Sequence, residues 1–83
     1  MTDAFESLRK GLDLIELAGR IGGLRVTVVA EQLGWTRAQA SRYLRALAQM
    51  GWLRDVGTGP RRPVWVLGPR AVRLVPEVRL EKP

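Results

Sequence analysis

The chain has 83 residues, a formal net charge of +6 and a sequence pI of about 11.3. Its length allows one domain with a small core, and the absence of cysteine and histidine excludes disulfides and thiolate or imidazole metal sites. No apolar run reaches the roughly 18 residues that span a bilayer, and the first residues lack the layout of a signal peptide. We therefore expect a cytoplasmic protein with no membrane association.

The positive charge is concentrated after residue 34. Residues 1–34 carry four basic and five acidic side chains, whereas residues 35–75 carry eight arginines and a single acidic residue, Asp55. Residues 76–83 are balanced. This distribution favours a polyanionic partner that contacts the second half of the chain.

The first predicted helix begins after Thr2 or Asp3, either of which is a suitable N-cap, and runs to about Gly19. Its apolar residues fill an arc of roughly 200°, which is wider than the stripe of an ordinary amphipathic helix. We expect this helix to serve both the core and a homodimer interface. The interface residues are predicted to be Phe5, Leu8, Leu12 and Ile15. The alternative is a helix covered on two sides within one small domain.

A small strand and a short second helix are predicted next. Residues 24–26 are β-prone and bounded by glycines. Thr27 is the predicted cap of a helix over residues 28–33, and Gly34 permits the left-handed conformation of a sharp turn. The inward residues of this helix are predicted to be Val29, Ala30 and Leu33.

The third predicted helix begins at Thr36, which forms a capping box with Gln39 and is followed by a helical apolar period. It is expected to end at Gly51, a natural residue after a helix C-cap. The core residues are predicted to be Ala40, Leu44 and Leu47. The opposite side is predicted to carry Arg37, Ala38, Ser41, Arg42, Arg45 and Gln49.

Two β-prone runs follow, at residues 52–56 and 64–67, and they flank a connector rich in glycine and proline. This pattern predicts a hairpin with a loose tip. Residues 70–75 are expected to form one or two helical turns that stop before Pro76. The three tryptophans, Trp35, Trp52 and Trp65, lie at junctions between elements, where core packing is favoured over base stacking.

Residues 27–53 together describe a short helix, a tight turn and a second, capped helix with an arginine-rich face. This order is typical of helix-turn-helix DNA readers, whose second helix enters the major groove. We predict a mostly α, α+β fold, a winged helix-turn-helix with three helices, a C-terminal β-hairpin wing and a short C-terminal helical turn. This domain is expected to span residues 1–75, before a flexible tail at 76–83.

The chain resembles the N-terminal winged helix of IclR-type transcription regulators over about residues 5–75, from the first predicted helix to the end of the wing. The most specific parts are Arg42-x-Leu44-x-x-Leu47 before Gly51-Trp52, and Leu67-Gly68 after the wing. The resemblance implies a homodimer that binds operator DNA. It also implies a C-terminal sensing domain that these residues do not include, so we expect either a stand-alone reader or a fragment of a longer protein. Ala38 stands where a small hydroxyl residue is common, so one phosphate contact is expected to be missing.

The predicted DNA-contacting residues of the third helix are Thr36, Arg37, Gln39, Ser41, Arg42 and Arg45. Arginine and glutamine can read guanine and adenine edges in bidentate fashion, and hydroxyls can donate to phosphate. Arg61 and Arg62 of the wing are expected along phosphates or in a narrow minor groove. For each there is a structural alternative. Thr36 and Gln39 can serve only the cap, Arg42 can hold phosphate or buttress the helix instead of reading a base, and the remaining arginines can be solvated.

The predicted function is sequence-specific binding of double-stranded DNA by a transcription regulator, most simply a repressor. One competitor is a winged-helix module that contacts RNA polymerase or another regulator, and a second is a sequence-neutral architectural DNA binder. No arrangement of residues for catalysis is recognisable. A phosphate-binding glycine motif is also missing, because the glycines lie in ones and twos at predicted turns. Asp13 and Glu16, one turn apart on a charged helix face, are typical of a solvated surface. We predict no catalytic residue, metal or cofactor.

Overall fold

A computed structural model describes residues 4–59 and 61–79. The elements follow in the order α1 (Ala4–Ile21), α2 (Val26–Leu33), α3 (Arg37–Gln49), β1 (Leu53–Asp55), β2 (Trp65–Leu67) and α4 (Pro69–Arg79). Helices α2 and α3 form the helix-turn-helix, and the two strands form an antiparallel hairpin after it. The predicted winged helix-turn-helix is therefore confirmed. The predicted caps Thr2 and Asp3, and residues 80–83 of the predicted tail, lie outside the described residues.

The core forms where α1, α2, α3 and the hairpin meet. Its completely buried side chains come from all of these elements and include Leu14, Leu24, Val29, Leu44 and Leu53. The predicted inward residues of α2 and α3 all pack in or against this core. The three tryptophans also pack there, with Trp65 buried and the other two half-buried. The preference for core packing over base stacking is thus confirmed.

The start of α2 differs from the prediction. The helix begins at Val26, two residues earlier than expected, because the carbonyl of Arg25 already accepts a hydrogen bond from the Val29 N–H at 3.0 Å. Arg25 is the N-cap residue, and its side chain makes no capping hydrogen bond. The prediction that Thr27 caps this helix is therefore wrong, since Thr27 lies inside the first turn.

The predicted strand at residues 24–26 is reduced to one residue. Leu24 forms a single antiparallel bridge with Trp65, and each N–H donates to the other residue's carbonyl at 2.8 Å. The hairpin itself pairs Leu53 with Leu67 and Asp55 with Trp65. The strand cannot continue past Leu24 because α2 begins two residues later.

The C-terminal helix is longer than predicted. We expected one or two turns ending before Pro76, but α4 runs from Pro69 to Arg79. Pro69 stands in the first helical position, where its missing N–H has no consequence. Pro76 lacks the N–H that would bond to the Val72 carbonyl, yet the backbone continues in helical form beyond it. The domain boundary at residue 75 stays a prediction.

Candidate nucleic-acid interface

Helix α3 is held at both ends and along its inner face. The Thr36 side chain accepts a hydrogen bond from the Gln39 N–H at 3.1 Å, which confirms the predicted cap. Before it, Gly34 closes α2 in the left-handed region at φ 71°, which allows the chain to turn sharply into α3. Leu44 and the other inner residues are buried. The outer face is therefore presented on a rigid support.

The C-terminal end of α3 is stabilised by α4. Met50 is the C-cap residue, and Gly51 follows with positive φ, as predicted. Arg70 donates from Nη1 to the Met50 carbonyl at 3.3 Å, and its backbone N–H donates to the Gly51 carbonyl at 3.0 Å. Its guanidinium also lies 5.6 Å from the centre of the Trp52 ring. The sequence analysis did not identify this role for Arg70.

The outer face of α3 forms a shallow depression. Its lining residues are Ala38, Ser41, Arg42, Arg45, Ala46 and Gln49. Because Ala38, Ser41 and Ala46 have small side chains, a phosphate or a base edge can approach the helix closely between the two arginines. The structure thus brings Ser41, Arg42 and Arg45 together, as the sequence predicted.

The other predicted α3 residues lie at the N-terminal end of the helix. Arg37 is exposed, whereas Gln39 is half-buried. The hydroxyl oxygen of Thr36 already serves the cap, and its proton is still available to donate to a phosphate. None of these three residues lines the depression.

An aromatic pair, Trp35 in the turn before α3 and Tyr43 on α3, lies beside α1. The rings of Trp35 and Tyr43 lie 5.1 Å apart and are tilted by 46°. Lys10 of α1 lies 5.9 Å from the Trp35 ring, and its ammonium is 3.9 Å from the Glu6 carboxylate. These contacts tie the turn before α3 to the first helix, and the sequence analysis missed the part played by Lys10.

The wing presents Arg61 and Arg62 at its tip, outside the lining of the α3 depression, and both side chains are exposed. The Arg62 N–H donates to the Gly59 carbonyl at 3.0 Å, which closes a turn across the tip. At the base of the loop, Oδ1 of Asp55 accepts two backbone hydrogen bonds. The sequence analysis counted Asp55 only as a charge, although aspartate side chains often accept a hydrogen bond from the backbone N–H two residues on and so form a turn.

An exposed apolar surface lies on α1, away from the core. Phe5, Leu8 and Leu12 are 79%, 58% and 56% exposed, whereas Ile15 is half-buried and packs against the core. Beside Leu8 and Leu12 there is an open groove of about 590 Å³ between α1, α3 and α4. Its remaining lining residues are Ser7, Gly11, Ile15, Tyr43, Ala46, Leu47, Met50, Trp52 and Leu74.

Two features are absent from residues 4–59 and 61–79. No three acidic, cysteine or histidine side chains lie close enough together to hold a metal ion. No helix in this part of the chain is both long and apolar enough to cross a bilayer.

The family model of the IclR helix-turn-helix domain matches residues 7–57, which is more than half of the chain. The chain belongs to this family. The match runs from α1 through α2 and α3 to the first strand of the wing, so the IclR-type part includes the α3 depression. It places the chain among helix-turn-helix domains, which are not enzymes. The second wing strand and α4 lie beyond the matched residues.

Two solved structures are similar to this IclR-type fold. One is the Zalpha domain of PKZ from Carassius auratus in complex with Z-DNA, with 18% identity and a TM-score of 0.68 over 75% of this chain and 97% of that one. The other is the Zalpha domain of Cyprinid Herpesvirus 3 ORF112, whose binding mode to Z-DNA was determined. It has 27% identity and a TM-score of 0.62 over 71% of this chain and 92% of that one. Among curated proteins, none matches the chain.

Proposed function

We propose that this chain is a transcription regulator that binds double-stranded DNA in a sequence-specific manner and acts most simply as a repressor. Helix α3 enters the major groove, and the wing contacts the flanking backbone. The observation that carries this proposal is the outer face of α3, where Arg42 and Arg45 border small side chains on a helix whose other side is buried. In helix-turn-helix proteins the second helix occupies the major groove with such a face.

The predicted contacts divide into two kinds. Arg37, Gln39 and Arg45 are proposed to read base edges, because arginine and glutamine can make bidentate contacts with purines. Thr36, Ser41 and Arg42 are proposed to hold phosphates, as are Arg61 and Arg62 of the wing. Phosphate contacts of this number make the affinity fall steeply with salt. The prediction of a cytoplasmic location agrees with this role.

A homodimer through α1 completes the proposal. Phe5, Leu8 and Leu12 form an exposed apolar stripe, and the groove beside Leu12 is open. If two copies of α1 cross in antiparallel fashion at Leu8, Phe5 of one copy meets Leu12 of the other, because both lie almost equally far along the helix from the crossing point. A twofold axis repeats this contact, so that each groove receives a Phe5 side chain.

Selection of bound fragments from a random duplex pool at about 150 mM salt tests DNA binding, because this salt concentration suppresses purely electrostatic retention. We expect a palindrome with half-sites about one helical turn apart. Retention without a motif would favour the architectural binder. No retention would contradict the proposal and would direct attention to an acidic protein partner, such as a surface of RNA polymerase.

A second candidate is binding of left-handed duplex DNA, because the two solved structures described above are Zalpha domains studied with Z-DNA. The same protein should be titrated into an alternating CG duplex held in the left-handed form and into its right-handed counterpart. If the protein preferred the left-handed duplex, the proposal of major-groove reading would be replaced by that of Z-DNA binding. Weaker binding to it would support the first proposal, and equal binding to both forms would favour the architectural binder.

Cysteine crosslinking tests the dimer, since the chain has no native cysteine. In the proposed arrangement the Leu8 Cα atoms of two copies lie near the twofold axis, within the roughly 7 Å that a disulfide spans. Leu8→Cys is therefore expected to form a covalent dimer under mild oxidation. Asp13→Cys, which is also exposed on α1 but on another side, is the matched control and should form no covalent dimer. Equal crosslinking of both variants would contradict this interface.

A further inference from the structure

The loop of the wing is closed at its base by one carboxylate. Asp55 Oδ1 accepts a hydrogen bond from the Gly57 N–H at 2.8 Å and another from the Val64 N–H at 3.0 Å. The first bond turns the chain just after β1, and the second crosses the loop to the start of β2. One oxygen atom therefore makes hydrogen bonds to both limbs of the wing, beyond the last residue pair of the hairpin.

The backbone of the loop is closely packed at the same point. A Cβ atom at Gly57 would overlap the Arg62 carbonyl oxygen and would lie 2.9 Å from the Val64 nitrogen. Only glycine permits this approach. The Val56 N–H also donates to the Val64 carbonyl at 2.8 Å. The positions of Arg61 and Arg62 thus follow from contacts made at the base of the loop.

The charge of Asp55 is unexpected at this place. It is the only acidic residue between Glu31 and Glu77, in the arginine-rich part of the chain. An exposed carboxylate near the DNA would repel phosphate groups. Its hydrogen bonds go to backbone N–H groups, and such charge-assisted bonds are stronger than bonds between neutral groups.

We propose that Asp55 is a positioning residue for DNA binding, which fixes the base of the wing so that Arg61 and Arg62 reach the phosphate backbone. This inference rests on the proposed function and adds a residue to it. Asp55 does not itself contact DNA. Its contribution is the order of the loop, and this contribution exceeds the repulsion between its charge and phosphate.

The test compares Asp55→Ala, which removes both acceptor bonds, with Asp55→Asn, which keeps an acceptor oxygen and removes the charge. Binding to a fluorescein-labelled, mixed-sequence duplex is measured as a function of salt. Asp55→Ala should raise Kd and make the salt slope shallower by up to about 2, the value expected for loss of two phosphate contacts. Asp55→Asn should bind at least as tightly as the wild type.

A second background shows whether Asp55 acts through the arginines. In the Arg61→Ala/Arg62→Ala variant, Asp55→Ala should cause no further loss of affinity. A further loss there would overturn the proposal, since Asp55 would then act elsewhere. The proposal also fails if Asp55→Ala binds like the wild type, or if Asp55→Asn is as weak as Asp55→Ala.

Amide hydrogen exchange without DNA separates this inference from the proposed function. The Gly57 and Val64 amides should be protected in the wild type and in Asp55→Asn, and should lose protection in Asp55→Ala. Unprotected amides in the wild type would show that the two hydrogen bonds to Asp55 are not formed in solution. If the wild type bound no duplex DNA, both the proposed function and the role of Asp55 in it would fail, whatever the exchange showed.

Discussion

The outer face of α3 and the tip of the wing both present arginines, but different forces hold them in place. Arg42 and Arg45 stand on a helix whose opposite side is buried in the core, with a cap at each end. Arg61 and Arg62 stand on a loop with few buried side chains, held by backbone turns and the Asp55 carboxylate. A surface supported by packing resists local change, whereas one supported by a few hydrogen bonds can be altered without unfolding the domain.

Loss of the packing beneath α3 should have the largest effect. Leu44 is completely buried, so Leu44→Ala removes apolar contacts and leaves a cavity. We expect the free energy of unfolding to fall by about 2–5 kcal/mol, a large fraction for a domain of this size. Urea denaturation measures this change. Gln49→Ala, on the exposed side of the same helix, should stay within about 0.5 kcal/mol of the wild type.

The wing should be sensitive to a single added carbon atom. Gly57→Ala places Cβ against the Arg62 carbonyl, and relief of the overlap should cost about 1–3 kcal/mol of stability and weaken DNA binding. Gly59→Ala is the matched control, because nothing lies within 4 Å of its added Cβ. Thermal denaturation and DNA titration of both variants test this prediction. Equal effects at the two glycines would show that the close packing at Gly57 does not shape the wing.

The two arginine surfaces should differ in how they affect specificity. Arg45→Ala should weaken binding to the selected sequence by about 1–3 kcal/mol and relax the preference at one base position. Arg61→Ala should weaken binding to all sequences alike and reduce the salt slope by about 1. Titrations on matched and mutated duplexes distinguish the two patterns. Uniform loss in Arg45→Ala would mean that Arg45 holds phosphate.

The smallest expected effect is at the N-terminal end of α3. Thr36→Ala removes the hydrogen bond to the Gln39 N–H and should lower stability by about 1 kcal/mol. Thr27→Ala, an exposed threonine in the first turn of α2 that makes no cap, should change stability by less than about 0.5 kcal/mol. Chemical denaturation of the pair provides the measurement. A similar loss in both would contradict the assignment of Thr36 as the cap.

Most of the fold and much of the α3 face could be predicted from the sequence, because these features depend on neighbouring residues. The apolar period of α3, the cap at Thr36 and the turn at Gly34 are set within a few positions of the chain. The arginines then fall on the outer face, opposite the buried leucines. Thr27 misled the prediction since its residue type suits a cap, although Arg25 holds that position in the structure.

What the sequence by itself determined is therefore the order of the elements, the core face of α3 and the placement of charge. Only the tertiary structure decided which distant residues meet. Leu24 pairs with Trp65, and Lys10 lies over Trp35. Asp55 accepts a hydrogen bond from the Val64 N–H across the wing loop. The tertiary structure also left Phe5, Leu8 and Leu12 uncovered beside a groove. The physical reason is the distance along the chain over which each interaction acts. Helical period and capping act between residues a few positions apart, whereas these contacts join segments whose separation in space is set by the packing of the whole domain.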